Sequence, residues 1–96
     1  MKFELKLGRL VMTSGIARKI TSDKDFQDFV NASFGRYIKG DWGDLSDEDK
    51  NANEEAVKCG DLRILAAYIN PKTKEKIWII TEANRSYTTI LFPEEY

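Results

Sequence analysis

The last third of the chain constrains the fold most. Residues 62–69, 76–82 and 87–92 are β-forming runs with only short turn signals between them. The first is mostly apolar, the second carries Ile77-Trp78-Ile79-Ile80, and the third alternates β-formers. Asn70-Pro71-Lys72-Thr73-Lys74 supplies one turn, with Pro71 suited to its second position, and Ala83-Asn84-Arg85-Ser86 supplies the other. Connections this short join antiparallel neighbours, because parallel strands need a crossover of a dozen residues or more. The segment therefore predicts a three-stranded antiparallel meander, ended by Pro93, with the mostly apolar residues 62–69 as a central strand of the sheet.

At the other end, Phe3, Leu5 and Leu7 alternate with Lys2, Glu4 and Lys6, the period of a half-buried strand. Gly8 interrupts the pattern before Leu10-Val11-Met12 resumes it, which predicts a bend or bulge at Gly8. This strand is expected to join an edge of the meander. Ser14-Gly15 ends it, and residues 16–20 suit a helical turn.

A long helix follows. Ser22 is placed as its N-cap, Asp25 three residues on resembles a capping box, and Asp23 favours the positive helix end. Phe26, Phe29, Val30, Phe34, Tyr37 and Ile38 recur every three or four residues, an apolar stripe for one face of the sheet. Gly35 weakens the last turns and Gly40 offers the stop. After the turn-rich Gly40-Asp41-Trp42-Gly43-Asp44-Leu45, Ser46 caps a second helix, with Asp47, Glu48 and Asp49 in its first turn and Gly60 past its end. Only Ala52, Ala56, Val57 and Cys59 offer this helix to a core, so it is expected on the surface, loosely anchored.

The sum is one α+β domain over residues 1–96: an antiparallel sheet of three to four strands, one long amphipathic helix and a second, polar one. A chain of 96 residues with 42% hydrophobic and 32% charged residues holds a single core without staples. No apolar run approaches the ~20 residues of a membrane span. The charged start, Met1-Lys2-Phe3-Glu4, is unlike a signal peptide, so cytoplasmic residence is expected. Cys59 stands alone and is expected as a small core residue in a reducing compartment.

The composition excludes much chemistry. With no histidine, Cys–His and Ser–His–Asp arrangements are impossible, and Cys59 lacks the partners of a thiolate zinc site. No phosphate-binding glycine loop is present. Asp47-x-Asp49-x-Asn51 begins like a calcium loop, but Ala52 replaces the turn glycine and Lys58 the bidentate glutamate. Glu48-Asp49-Lys50 matches a nuclease fragment too short to outweigh helix capping. No enzyme, metal or cofactor is expected.

Charge is unevenly spread. Net charge is −1, yet residues 1–40 carry eight Lys/Arg against four Asp/Glu, and residues 41–61 carry two against eight. Arg9, Arg18, Lys19, Arg36 and Lys39 with Tyr37, and the Lys72/Lys74/Lys76 hairpin, are the stretches nucleic acid would use, but the near-neutral whole argues against it.

Three stretches together resemble a family of roughly hundred-residue proteins carried by bacterial plasmids and phages. They are Gly40-Asp41-Trp42-Gly43-Asp44-Leu45, then Trp78-Ile79-Ile80-Thr81-Glu82-Ala83-Asn84-Arg85-Ser86, then Thr88-Thr89 running into Pro93-Glu94-Glu95-Tyr96, with Asp49, Asn53 and Glu54 between. The likeness spans about residues 38–96 and implies a mobile-element setting rather than a particular chemistry. The expected function is a non-enzymatic protein-binding accessory protein, in its sharpest form an inhibitor of host defence of anti-CRISPR or anti-restriction type. The alternative is a nucleic-acid-binding accessory protein of replication or transfer. Asp47, Glu48, Glu54 and Glu55 are the expected partner-binding surface. Asp41 and Asp44 beside Trp42 are expected to meet Arg85, whose fork suits carboxylates.

Overall fold

A computed structural model describes residues 5–96. The elements run β1 (Arg9–Met12), α1 (Ser14–Ser22), α2 (Lys24–Ile38), α3 (Asp47–Cys59), β2 (Ile64–Ile69), β3 (Lys76–Thr81) and β4 (Tyr87–Leu91), closed by a 3-10 turn at Pro93–Glu95. Lys2, Phe3 and Glu4, the start of the expected N-terminal alternation, lie outside the described residues. Leu5 and Leu7 precede the strand and pack as half-buried side chains against the core. The bend at Gly8 is real: its φ is +65°, and a Cβ there would strike the carbonyls of Arg85 and Ser86.

The expected helical turn at 16–20 is a nine-residue helix, α1. Asp23, in extended conformation, both ends α1 and starts α2. Its N–H donates to the Lys19 carbonyl and its carboxylate accepts the Phe26 N–H at 3.1 Å. Ser22 is therefore the last residue of α1 and not the cap, and its hydroxyl donates back to Arg18. The buried stripe of α2 is Phe26, Val30, Ser33 and Tyr37, narrower than expected. Phe29 and Phe34 flank it half-buried, and Ile38 is exposed.

The sheet order is β1-β4-β3-β2. The meander forms as expected, with Leu65 opposite Ile80 and Ile79 opposite Ile90 in antiparallel ladders. Two expectations need correction. β1 pairs with β4 in parallel, so the sheet is mixed and not antiparallel throughout. No hairpin joins these two strands, and all three helices lie between them in sequence, so no turn dictates their relative direction. Residues 62–69, expected at the centre, supply β2 at an edge, because β1 enters beside β4.

One face of the sheet carries the core. Ile64, Ala66, Tyr68, Ile77, Ile79 and Ile90 cluster there with Ile16, Phe26, Val30, Tyr37, Trp42 and Ala56. Hydroxyls cross it in one direction: Thr88 donates to the Leu7 carbonyl, so Thr81 donates to Thr88, and Tyr37 to Thr81 at 2.6 Å. On the other face the C-terminal turn folds back, setting the Tyr96 ring edge-on to Trp78 at 5.8 Å. Among the described residues no helix is long and apolar enough to cross a membrane.

Candidate functional site

The outer edge of β2 shapes the most elaborated part of the surface. Gly43 approaches it so closely that a Cβ would meet the Ala67 carbonyl and the Tyr68 ring, and its φ of +77° suits glycine. The approach lets Asp44 N–H donate to Ala67 O at 2.7 Å and Ala67 N–H donate to Trp42 O at 3.3 Å. The Asp44 carboxylate accepts the Ile69 N–H at 3.0 Å. Asp41 stiffens the same loop. Its carbonyl accepts the Tyr68 hydroxyl, and its carboxylate accepts the Gly43 N–H and a forked pair of bonds from Arg36. That guanidinium holds the Asp41 carboxyl below its usual range. Burial, then the nearby Asp41 charge, pushes the Tyr68 phenol upward. Trp42 is buried, with its ring edge-on to Tyr37 at 5.5 Å.

Helix α3 completes the edge. Ser46 caps it by accepting the Asp49 N–H, and Gly60 ends it in left-handed conformation, as the sequence predicts. Loose anchoring is corrected by a residue that periodicity did not single out. The buried Asn53 amide behaves as a missing strand: it donates to Leu65 O at 2.8 Å and accepts Leu65 N–H at 3.2 Å. Arg85 fixes the far end. With a φ of +60°, it donates to Ala56 O and Leu62 O at 2.7 Å and to the Glu82 and Ala83 carbonyls at 3.2 Å. A cation at a helix C-terminus also opposes the negative end of the dipole.

The expected meeting of Arg85 with Asp41 and Asp44 therefore does not occur. Arg85 serves the carbonyls beside the start of β2, whereas Asp44 binds at the Ala67–Ile69 end. Asp41 takes Arg36 as its partner because that residue stands in the last turn of the helix leading into the loop. Two fixed loops result, one at each end of the strand.

The four acids expected as a surface share α3 but not an environment. Asp47, Glu48 and Glu55 are exposed, and Glu54 accepts a 3.3 Å hydrogen bond from the Trp42 indole. Glu48 and Glu55, seven residues apart, fall on one stripe, with Asp47 and Glu54 on the next. Three ion pairs occur among the described residues, and none uses an acid of α3. Cys59 and Ala52 are exposed and not in the core, because α3 turns Asn53 and Ala56 inward.

The basic residues are partly spent elsewhere. Arg36 binds Asp41 and lies over the Tyr68 ring, and Lys19 binds Glu75. Arg18, Lys39, Lys72, Lys74 and Lys76 are exposed. A shallow cleft between α1 and the start of α2 mixes Arg18, Lys19 and Lys24 with Asp25 and Glu95. Among the described residues no group of acids or cysteines is assembled as metal ligands, and no buried side-chain polar atom lacks a partner. Glu95 was carried only by the family resemblance. It accepts from Thr13 Oγ1, Gly15 N–H and Phe92 N–H, stitching the C-terminal turn to the start of α1.

Set against family models, curated proteins and solved structures, the chain matches none.

Proposed function

We propose that the protein is a binding module whose exposed acidic face on α3 docks a basic surface of a partner protein. The observation that carries this reading is the way α3 is held. Asn53, Arg85 and the Trp42–Glu54 bond fix the helix from its inner side, while Asp47, Glu48 and Glu55 remain exposed and, among the described residues, outside any ion pair. Fixed, unneutralised charge loses little freedom on binding and steers encounter with an oppositely charged surface. The resemblance to plasmid- and phage-borne proteins supplies the setting, in which a host defence complex is the partner we favour. Nucleic acid is the second reading. It draws on the sheet face opposite the core, where Trp78, Tyr87 and Tyr96 accompany Arg9, Arg63 and Lys76, side chains suited to stacking and phosphate contact.

The test is capture from host lysate with the natural chain and with Glu48→Lys/Glu55→Lys. The double variant is expected to lose the captured protein and keep its melting temperature, because both side chains are exposed and Glu54 is left to Trp42. Undiminished capture by a folded double variant would remove the acidic face from the reading. Salt-sensitive binding of random duplex DNA would favour the second one.

A further inference from the structure

The sheet has two edges, and the described residues protect only one. Around β2, Asn53, the Trp42–Asp44 backbone and the Asp44 carboxylate occupy the groups of Leu65, Ala67 and Ile69 that turn away from β3. On β1, Arg9 N–H and Thr13 N–H donate to the Ser86 and Ile90 carbonyls of the β4 side. By strand alternation, Leu10 and Met12 turn their N–H and C=O groups outward, and among the described residues nothing meets them. The strand is short and begins with a charge, Arg9, but no proline, bulge or inward charge, three of the devices proteins use against strand addition, blunts this edge. Its side chains are apolar too, with Leu10, Val11 and Met12 exposed by 43%, 37% and 41%. Leu10 and Met12 stand in register with Thr88 and Ile90, which are buried, so the core face continues outward and stops half covered.

We propose that a second copy of this chain covers the edge, β1 pairing antiparallel with its twin about a two-fold axis at Val11. Charge selects this occupant. In that register Leu10 faces the twin's Met12, which satisfies every outward group of both residues, and Arg9 faces the twin's Thr13. Thr13 holds the Glu95 carboxylate through its Oγ1, and Glu95 is exposed. Each Arg9, itself exposed, thus meets an acid of the other copy, twice per dimer. A self-complementary patch of this kind is what a two-fold interface requires. Among the described residues the approach to β1 leaves the edge clear, since Leu5 and Lys6 line a recess with Val57, Gly60 and Arg85. The two α3 faces would then stand at opposite ends of one continuous sheet.

Light scattering coupled to size exclusion, over a concentration series, is the experiment. The natural chain is expected at twice its 11.0 kDa mass. Leu10→Pro removes one outward N–H and no bond to β4, and is expected to give monomer with unchanged circular dichroism. Arg9→Glu, which keeps the backbone edge, is expected to raise the dimer dissociation constant by at least about tenfold, through like charges at Glu95. Val11→Cys/Cys59→Ser fixes the register, because facing residues of a non-hydrogen-bonded pair lie within disulfide reach and mild oxidation should link the two copies. A natural chain that stays monomeric throughout, leaving the edge to some other strand, would overturn the proposal. So would a dimer unaffected by Arg9→Glu and unlinked through position 11.

Discussion

Along β2 the groups that face away from the sheet are met by a side-chain amide, a loop backbone and a carboxylate, while along β1 the corresponding groups of Leu10 and Met12 meet none of the described residues. Both strands are edges of one sheet with the same backbone chemistry. The difference lies in what flanks them in sequence. β2 is preceded by a loop and a helix that fold back along it. β1 is followed at once by α1, which turns over the core face and leaves the strand's flank bare. Closing an edge thus takes a specific partner at each outward pair, and among the described residues only the β2 edge has them.

The sharpest way to break that contrast is Asn53→Ala. It strands Leu65 N–H and C=O beside a helix that still covers them, and a buried group left without its partner costs about 1–3 kcal/mol. With two such groups, a loss of about 3 kcal/mol is expected in denaturant melts. A loss under about 1 kcal/mol would mean that water enters and repairs the edge.

How far could the sequence foretell this asymmetry? The meander was legible because its turns are short and its runs strongly β-forming, and both helix caps of α3 were legible in Ser46 and Gly60. The direction of β1 was not, since only long-range pairing decides it. Nor was Arg85, whose charge suggested a carboxylate while the fold offers four carbonyls. Asn53 sits among polar residues in α3 and carries no periodic signal. Its role exists only once Leu65 lies opposite.

A second perturbation acts between the edges and should be milder. Tyr37 is buried, and desolvation pushes its phenol up to about 12, against the lowering effect of its bond to Thr81. A pKa raised in the folded state gives stability that is whole below the unfolded value near 10 and lost as pH climbs toward 12. Tyr68, shifted the same way, adds to the loss on the β2 side. Stability is therefore expected to fall by about 2 kcal/mol for Tyr37 across that window, and Tyr37→Phe should flatten the slope. An equal slope in the variant would assign alkaline sensitivity to other groups.

The smallest effect is expected on the open edge, and it makes the contrast quantitative. Val11 directs its backbone to β4 and leaves its side chain more than a third exposed on the sheet face away from the core. Val11→Thr keeps the branched Cβ that a strand favours and adds a hydroxyl that water can satisfy. In dilute solution, where no second copy lies along the outer side of β1, the change should stay within about 0.5 kcal/mol, as for surface positions generally. Set beside Asn53→Ala, that is a severalfold difference between two edges of one sheet. A loss above about 1 kcal/mol that does not vary with protein concentration would mean that the chain itself packs over Val11. A loss that appears only as concentration rises would place the packing partner in a second molecule, since association adds to apparent stability by mass action.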